Sequence, residues 1–212
     1  MTSVRLAVLI SGNGSNLQAL IDAAANGTLH GEICVVVSNR EQAFGLQRAQ
    51  RANIPNHVLA HDEFESRAAF DQALLKLLDG YSPDLIALAG FMRVLGGEFV
   101  EHYAGRILNV HPSLLPRFPG LDTHARALRA GAREHGASIH FVTEELDAGP
   151  VVIQGRVAVR ENDTEAQLAE RVHEVEHRIY PAAVAWFAQG RLSCEDQRAW
   201  FDGQPLHQPK LL

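Results

Sequence analysis

Short apolar runs alternate along the chain with longer stretches in which apolar residues recur at helical spacing. Runs rich in Val, Ile and Leu predict strands, and the stretches between them predict helices. Strands that alternate with helices indicate a parallel sheet with right-handed crossover connections. The predicted strands cover residues 4–10, 32–38, 57–60, 84–89 and 106–111, and the predicted helices cover 16–25, 43–52 and 63–78.

The pattern changes after Pro112. A proline-rich loop precedes a short helix predicted near residues 122–130, and two further β-like runs follow at 137–143 and 151–159. Residues 164–167, Thr-Glu-Ala-Gln, form a capping box that predicts the start of a long helix. The apolar face of this helix consists of Leu168, Val172, Val175 and Ile179.

Together these elements predict a Rossmann-like α/β fold, a mostly parallel twisted sheet with helices on both faces. We expect a single domain over residues 1–203. Its amino-terminal half, about 1–105, is expected to bind phosphate, and its carboxyl-terminal half, about 106–203, to complete the site. Residues 204–212 are expected to form a loosely held tail.

The composition is that of an ordinary globular protein with an acidic balance. The 212 residues are 46% hydrophobic and 21% charged, and the net charge is −6 without any cluster of Lys and Arg. This charge disfavours a polyanion such as tRNA but allows a small phosphorylated partner. Cys34 and Cys194 suggest neither a metal site nor a disulfide framework. No segment has the layout of a signal peptide or the length of a membrane span, so we expect a cytoplasmic protein.

A glycine-rich loop, Ser-Gly-Asn-Gly-Ser-Asn at residues 11–16, joins the first predicted strand to the first helix. Glycines at this position allow close backbone approach, and free amides at a helix start can bind phosphate. Leu17 occupies the place of the third glycine of the dinucleotide motif, and the second strand ends without an acidic ribose ligand. The loop therefore favours a single phosphate or phosphosugar over NAD or ATP. The alternative is a tight turn in which Asn and Ser only cap the helix.

Asn109 and His111 stand two residues apart at the end of an apolar run that Pro112 closes. Side chains at i and i+2 project from the same face of a strand, so the amide and the imidazole converge. Ligands of open α/β sheets bind at the carboxyl ends of strands, where this pair is expected. The alternative is a buried strand end at which both groups satisfy loop backbone.

Two further patterns contain ionisable residues. Asp147 lies in an Asp-Ala-Gly-Pro turn after a strand that contains His140, and a carboxylate held there can orient and charge a histidine. Taken alone, Asp147 is better explained as an ordinary turn residue. Residues 173–177, His-Glu-Val-Glu-His, match the H-E-x-x-H zinc pattern, but no third ligand follows and Pro181 comes soon after, so we disfavour a zinc hydrolase.

Four motifs occur together and in order over about residues 4–203. They are residues 12–16 (Gly-Asn-Gly-Ser-Asn), 90–93 (Gly-Phe-Met-Arg), 109–116 (Asn-Val-His-Pro-Ser-Leu-Leu-Pro), and 135–142 (His-Gly-Ala-Ser-Ile-His-Phe-Val) followed by 147–150 (Asp-Ala-Gly-Pro). In this combination the chain resembles the phosphoribosylglycinamide formyltransferase family. The resemblance implies transfer of a formyl group from the cosubstrate 10-formyltetrahydrofolate to the amine of 5'-phosphoribosylglycinamide, without a metal. It implies small-molecule substrates. From the charge and the absence of a long apolar segment we expect no nucleic acid or membrane partner, and we expect a monomer or weak homodimer.

The resemblance also assigns site residues. Catalysis is assigned to Asn109, His111 and Asp147, and the ribonucleotide to Gly14, Ser15, Asn16, His173 and Glu176. The folate is assigned to Arg67, Met92, Arg93, Val94, Leu95, Asn109, Thr143, Glu144, Glu145, Leu146 and Asp147. It further implies a cis peptide bond between Leu115 and Pro116. His173 departs from the family, whose bacterial members have glutamine there, and introduces a group that can change charge near neutral pH.

The chemistry of formyl transfer fits the assigned catalytic residues. A neutral amine that attacks a formyl carbon creates an alkoxide, which Asn109 and a protonated His111 can stabilise by donating hydrogen bonds. Asp147 favours the charged imidazole and, with water, aids the proton relay. Two alternatives remain: a 10-formyltetrahydrofolate hydrolase, which shares these three residue types, and a non-catalytic phosphosugar-binding module, which has no need of them.

Overall fold

A computed structural model describes residues 3–212 of the chain. The predicted helices and strands are present, with ends shifted by a few residues at most. In chain order the elements are β1 (Val4–Ile10), α1 (Ser15–Ala25), β2 (Gly31–Ser38), α2 (Phe44–Arg51), β3 (Asn56–Val58), a 3-10 turn (His61–Glu63), α3 (Arg67–Asp79), β4 (Leu85–Leu88), α4 (Gly97–His102), β5 (Ile107–His111), α5 (Thr123–Arg129), β6 (Glu134–Phe141), β7 (Val151–Ala158), α6 (Glu165–Ala188), β8 (Leu192–Glu195), β9 (Arg198–Phe201), β10 (Gln204–Pro205) and β11 (Lys210–Leu211).

The main sheet has eight strands in the order β11-β7-β6-β5-β4-β1-β2-β3. Strands β1 to β5 are parallel, whereas β6 runs antiparallel to both β5 and β7. The chain leaves β1 toward β2 and β3 and then crosses to β4 on the other side of β1. This reversal brings the loops after β1 and β4 together at the carboxyl ends of the parallel strands. Ligands bind at this position in such folds.

Helices cover both faces of the sheet, as the pattern predicts, because its strands are apolar on both sides. Leu6, Val8 and Ile10 of β1 belong to the apolar cluster that contains α1, α2 and α6. Ala7 and Leu9 belong to the cluster on the opposite face, under α3 and α4. The predicted α/β class is confirmed.

The carboxyl-terminal part differs from the sequence-based expectation. Residues 204–212 are not a free tail, because β11 pairs with β7 and the Leu212 N–H donates to the Gln154 carbonyl at 3.2 Å. A separate three-stranded sheet, β10-β9-β8, and helix α4 were not predicted. These elements are two to six residues long, too short to show a clear periodicity.

Helix α6 is the long helix that the capping box predicts. The Thr164 side chain accepts from the Gln167 N–H, and the Gln167 side chain accepts from the Thr164 N–H, so the capping box is confirmed. The helix continues through Pro181 and extends over 24 residues. Among residues 3–212, no helix combines the length and the apolar character needed to cross a membrane.

Candidate active site

The glycine loop after β1 is folded tightly against the start of α2. Gly14 has left-handed backbone angles, with φ 73° and ψ 32°, and caps helix α1. A Cβ atom on Gly14 would lie 2.7 Å from the Gly45 Cα, and the Gly45 N–H donates to the Gly12 carbonyl at 3.1 Å. Glycine is required at position 14 for its backbone angles and for this close backbone approach. The first N–H groups of an α-helix have no partner within the helix, so those at the start of α1 are available to a phosphate.

Asn16 joins the glycine loop to helix α6. Its Nδ2 donates to Oε2 of Glu176 at 2.8 Å, although the two residues are 160 positions apart in the chain. The Glu176 side chain is buried, and this burial raises the pKa of its carboxyl against the opposing effect of the Asn16 hydrogen bond. The Asn16 Oδ1 is buried and has no hydrogen-bond partner among residues 3–212. Buried polar atoms normally have partners, so this one is available to a ligand.

The H-E-x-x-H pattern on α6 has another explanation than zinc. The rings of His173 and His177 are nearly parallel at 9°, with centroids 6.4 Å apart. Within the described residues, no group of three potential metal ligands comes together. Glu176, between the two histidines, instead binds Asn16 of the glycine loop. His173 is exposed on the same helix, one turn before Glu176.

Asn109 and His111 lie on β5 as predicted, but they are connected through two other residues. Antiparallel pairing of β5 with β6 places Asn109 opposite His140. The Asn109 Nδ2 lies 3.0 Å from the His140 Nε2, and Asp147 approaches both His140, at 3.8 Å, and His111, at 3.5 Å. The four side chains therefore lie next to one another in the order Asn109, His140, Asp147, His111.

His140 is a site residue that the sequence analysis did not assign. Its Nδ1 lies 3.0 Å from the Phe141 carbonyl, which requires a proton on Nδ1 and leaves Nε2 as the acceptor for Asn109. Burial lowers the pKa of His140, in agreement with a neutral ring. The amide of Asn109 is thereby oriented, with its second N–H and Oδ1 left for a ligand. Only the cross-strand register identifies this role, and that register is not visible in the sequence.

Both ring nitrogens of His111 face acceptors. Nε2 lies 3.0 Å from the Phe118 carbonyl, and Nδ1 lies 3.5 Å from the Asp147 Oδ2. The Phe118 carbonyl and the Asp147 carboxylate therefore hold the ring from both sides. Asp147 has a positive φ of 53°, and its Oδ2 accepts from the Gly120 N–H at 2.8 Å. The His111 and Asp147 side chains are only 7% and 8% exposed, so this pair is screened weakly by water.

The loop between β5 and α5 is held by a buried polar network. The Ser138 hydroxyl donates to the Ser113 carbonyl at 2.7 Å and accepts from the Leu115 N–H at 3.0 Å. The Gln154 Nε2 donates to the Leu115 carbonyl at 2.8 Å. The peptide bond between Leu115 and Pro116 is cis, so that prediction is confirmed. The backbone that follows His111 is therefore fixed from β6 and β7.

Most residues assigned to the folate lie in two loops beside this site. Residues 92–95 follow β4, and the Met92 N–H donates to the Ser11 hydroxyl at 2.7 Å, which ties this loop to the end of β1. Met92 is 61% and Leu146 60% exposed, whereas Leu95 is buried. The second loop, 143–147, lies against the start of α4, where Glu144 is next to Gly97. Exposed apolar side chains on both loops form a surface suited to a flat organic ligand.

Arg67 and Arg93 lie at the edge of these loops, around the buried carboxylate of Asp71. Arg67 is exposed at the start of α3, and the Arg93 guanidinium lies 4.5 Å over the Phe70 ring with a buried Nε that has no partner in residues 3–212. Asp71 Oδ2 accepts from the Gly96 N–H at 2.8 Å. Burial raises the pKa of the Asp71 carboxyl, while this N–H and the two arginines oppose the rise.

Comparison with known proteins supports a single family. A family profile described as formyl transferase matches residues 4–184. The phosphoribosylglycinamide formyltransferase of Escherichia coli (strain K12) is 53% identical over 203 residues, which cover 96% of each chain. The trifunctional purine biosynthetic protein adenosine-3 of Homo sapiens is 47% identical over 186 residues, 88% of this chain and 18% of that protein.

Solved structures agree with this result. The phosphoribosylglycinamide formyltransferase of Coxiella burnetii, in complex with CHES, superposes with a TM-score of 0.95 at 51% identity and with full coverage of both chains, 100% each. Glycinamide ribonucleotide transformylase 1 of Symbiobacterium toebii has a TM-score of 0.91 at 45% identity over 94% of each chain.

Proposed function

The chain belongs to the formyl transferase family, and from this premise we propose that it transfers a formyl group from 10-formyltetrahydrofolate to the amine of 5'-phosphoribosylglycinamide. The products are formylglycinamide ribonucleotide and tetrahydrofolate, a step of purine biosynthesis. One observation supports this proposal most strongly. A cluster of adjacent polar side chains lies on the same side of the sheet as a phosphate-type glycine loop, at the carboxyl ends of the parallel strands. The cluster consists of Asn109, His140, Asp147 and His111.

We assign the substrate phosphate to the glycine loop and the ribose to Glu176. Gly14, Ser15 and Asn16 offer the free amides of α1 to the phosphate, whereas the unpartnered Asn16 Oδ1 is an acceptor that suits a ribose hydroxyl. A Glu176 carboxylate accepts hydrogen bonds and so suits ribose hydroxyls. We also assign His173, which is exposed one turn before Glu176 on α6, as a donor toward the phosphate. The amine then extends from β1 toward Asn109 on β5, two strands away in the sheet.

We assign the folate to the surface formed by residues 92–95 and 143–147. A reduced folate has a flat ring system and an acidic tail, which match the exposed Met92 and Leu146 and the cations Arg67 and Arg93. The Arg93 Nε, buried without a partner within the described chain, is a donor that such a ligand can use. The family match supports a formyl donor of this class, and the choice of 10-formyltetrahydrofolate is part of the proposal.

The proposed reaction is direct attack of the amine nitrogen on the formyl carbon. The carbonyl oxygen becomes an alkoxide, which accepts from the Asn109 N–H and the His111 Nε2–H. In the structure His111 Nε2 donates to the Phe118 carbonyl, and in the proposed reaction the alkoxide takes the place of that carbonyl as the acceptor. Collapse breaks the bond between the formyl carbon and the folate nitrogen. The attacking nitrogen loses a proton and the folate nitrogen gains one, through His111, Asp147 and water.

The decisive assay follows 10-formyltetrahydrofolate deformylation spectrophotometrically, with and without the ribonucleotide and in the presence of a chelator. Turnover that depends strictly on the ribonucleotide supports the proposal. Deformylation without it would identify a hydrolase instead. Ligand binding without any turnover would identify a binding module or a different formyl acceptor.

Variants test the residue roles. We expect His111→Ala, Asp147→Asn and Asn109→Ala to lower kcat at least roughly 100-fold while the ribonucleotide KM changes less than about threefold, because the lost contacts form mainly in the transition state. His102→Ala is the matched control, since His102 also pairs with a carboxylate, Asp79, at 3.0 Å but outside the site. Equal losses in kcat and substrate affinity, or no loss, would contradict these roles.

We also propose that the enzyme is cytoplasmic and acts as a monomer or weak homodimer. The free thiols of Cys34 and Cys194 support a reducing compartment. Sedimentation over a range of protein concentrations tests the oligomeric state.

A further inference from the structure

Arg48 holds the glycine loop from outside the substrate site. This residue lies on α2, and its guanidinium makes three directed hydrogen bonds. Nε donates to the Asn13 carbonyl at 2.9 Å, one terminal nitrogen donates to the Asn13 Oδ1 at 3.0 Å, and the other donates to the Gln18 Oε1 at 3.1 Å. The first two bonds hold the backbone carbonyl and the side chain of Asn13, and the third binds Gln18 of helix α1. We call these three hydrogen bonds the clamp.

Asn13 is the residue of the loop that most needs such support. It is exposed, and it stands between Gly12 and Gly14, the two residues with the greatest backbone freedom in the loop. Besides Arg48, the loop is tied to α2 by the Gly45 N–H, which binds the Gly12 carbonyl. Arg48 therefore supplies the only side-chain hydrogen bonds that residues 3–212 make to Asn13.

The position of the guanidinium is itself fixed. Its Cζ lies 5.0 Å from the centre of the Phe44 ring, a cation–π distance, and the side chain is half-buried. A planar guanidinium that stacks on an aromatic ring and donates from three nitrogens loses little conformational entropy when it binds the loop. Three of its five N–H groups donate to protein acceptors in the glycine loop and in α1, so its effect on the substrate is expected mainly through the loop.

We propose that Arg48 is a positioning residue for the ribonucleotide phosphate, which holds Asn13 so that the amides of Gly14, Ser15 and Asn16 are preorganised. This inference rests on the proposed function and extends it to a residue outside the substrate site. Without the clamp, the loop samples more conformations and binding must restrict them again. The ribonucleotide KM then rises, whereas kcat and the KM for the formyl donor stay the same, because the loop contacts substrate and transition state alike.

The test compares Arg48→Met, Arg48→Lys and Arg51→Met by steady-state kinetics. Arg51 is the matched control, because it lies on the same helix and 5.7 Å from the same Phe44 ring. We expect Arg48→Met to raise the ribonucleotide KM roughly 10-fold, since the bonds involve a charged donor, with kcat and formyl-donor KM within about twofold. Arg51→Met should leave all three constants within about twofold.

Arg48→Lys separates geometry from charge. Lysine keeps the positive charge but not the planar guanidinium geometry. If the clamp depends on that geometry, the ribonucleotide KM of Arg48→Lys should still be raised at least about fivefold. A wild-type KM in Arg48→Lys would show that only charge matters and would overturn the proposal. So would equal behaviour of Arg48→Met and Arg51→Met, or a fall in kcat at constant KM. Thermal unfolding of each variant identifies a folding defect, in which case Arg48→Lys carries the test.

Binding of inorganic phosphate keeps the two proposals distinguishable. If the wild type shows no ribonucleotide-dependent deformylation, the proposed function fails whatever Arg48 does. Calorimetric titration with phosphate then tests the clamp without turnover. Weaker binding in Arg48→Met and Arg48→Lys but not in Arg51→Met supports the clamp, and equal affinity in all of them refutes it.

Discussion

Replacing Gly14 by alanine tests how the phosphate loop is built. Gly14 has φ 73°, and a Cβ there would lie 2.7 Å from the Gly45 Cα. The contact is with backbone, so no side-chain rotation can relieve it. Gly12 is the matched control in the same loop, because a Cβ on it would meet no heavy atom within 4 Å.

The expected cost follows from two separate effects. Holding alanine in the left-handed region costs about 1–2 kcal/mol. Forcing the loop and α2 apart in a packed contact costs about 1–3 kcal/mol more. We therefore expect Gly14→Ala to lose about 2–5 kcal/mol of unfolding free energy, and Gly12→Ala to stay within about 0.5 kcal/mol of the wild type. The same displacement moves the first amides of α1, so the ribonucleotide KM should rise in Gly14→Ala.

Urea unfolding of the wild type and both variants, at one pH and ionic strength, measures these differences from midpoints and slopes. If Gly14→Ala and Gly12→Ala differ by less than about 1 kcal/mol, the loop tolerates separation from α2 and the close-approach argument is wrong. If stability falls but the ribonucleotide KM does not change, the loop is a structural turn rather than a phosphate site.

Two pH predictions follow from buried ionisable side chains. Because burial raises the pKa of Glu176, its contribution to stability is present at acid pH and is lost as pH rises through the folded pKa. The urea midpoints of Glu176→Gln and the wild type should therefore be compared at pH 5 and pH 8. We expect Glu176→Gln to gain stability relative to the wild type at pH 8. A stability difference that is the same at both pH values would contradict the burial argument. Burial and neighbouring cations lower the pKa of His135 from 6.5 to about 4, so the wild type should lose up to about 3 kcal/mol between these values as pH falls. His135→Gln should remove that loss, and an unchanged acid profile would show that the pKa of His135 is not lowered.

Much of the fold and part of the site could be predicted from the sequence. The alternation of strand and helix runs, the capping box at Thr164 and the glycine loop are local patterns, and each is present in the structure. The placement of Asn109 and His111 on one strand follows from a two-residue period. These features depend on residues a few positions apart, whose spacing the chain itself determines.

Features that depend on long-range pairing could not be predicted in this way. The sequence predicts a loosely held tail over residues 204–212, yet β11 adds to the sheet because the edge of β7 offers unpaired backbone groups. Likewise, Arg48 gives no local signal of its role, because the loop that it holds lies 35 positions away in the chain.

The candidate site shows most clearly which features follow from local sequence and which depend on long-range pairing. The sequence determines that an amide and an imidazole stand together at a strand end and that a carboxylate follows in a turn. Only the tertiary structure decides that β6 runs antiparallel to β5, which puts His140 opposite Asn109 and brings Asp147 back to His111. The physical reason is that side-chain direction repeats locally along a strand, whereas strand register is decided by which packing of the whole chain buries its apolar faces best.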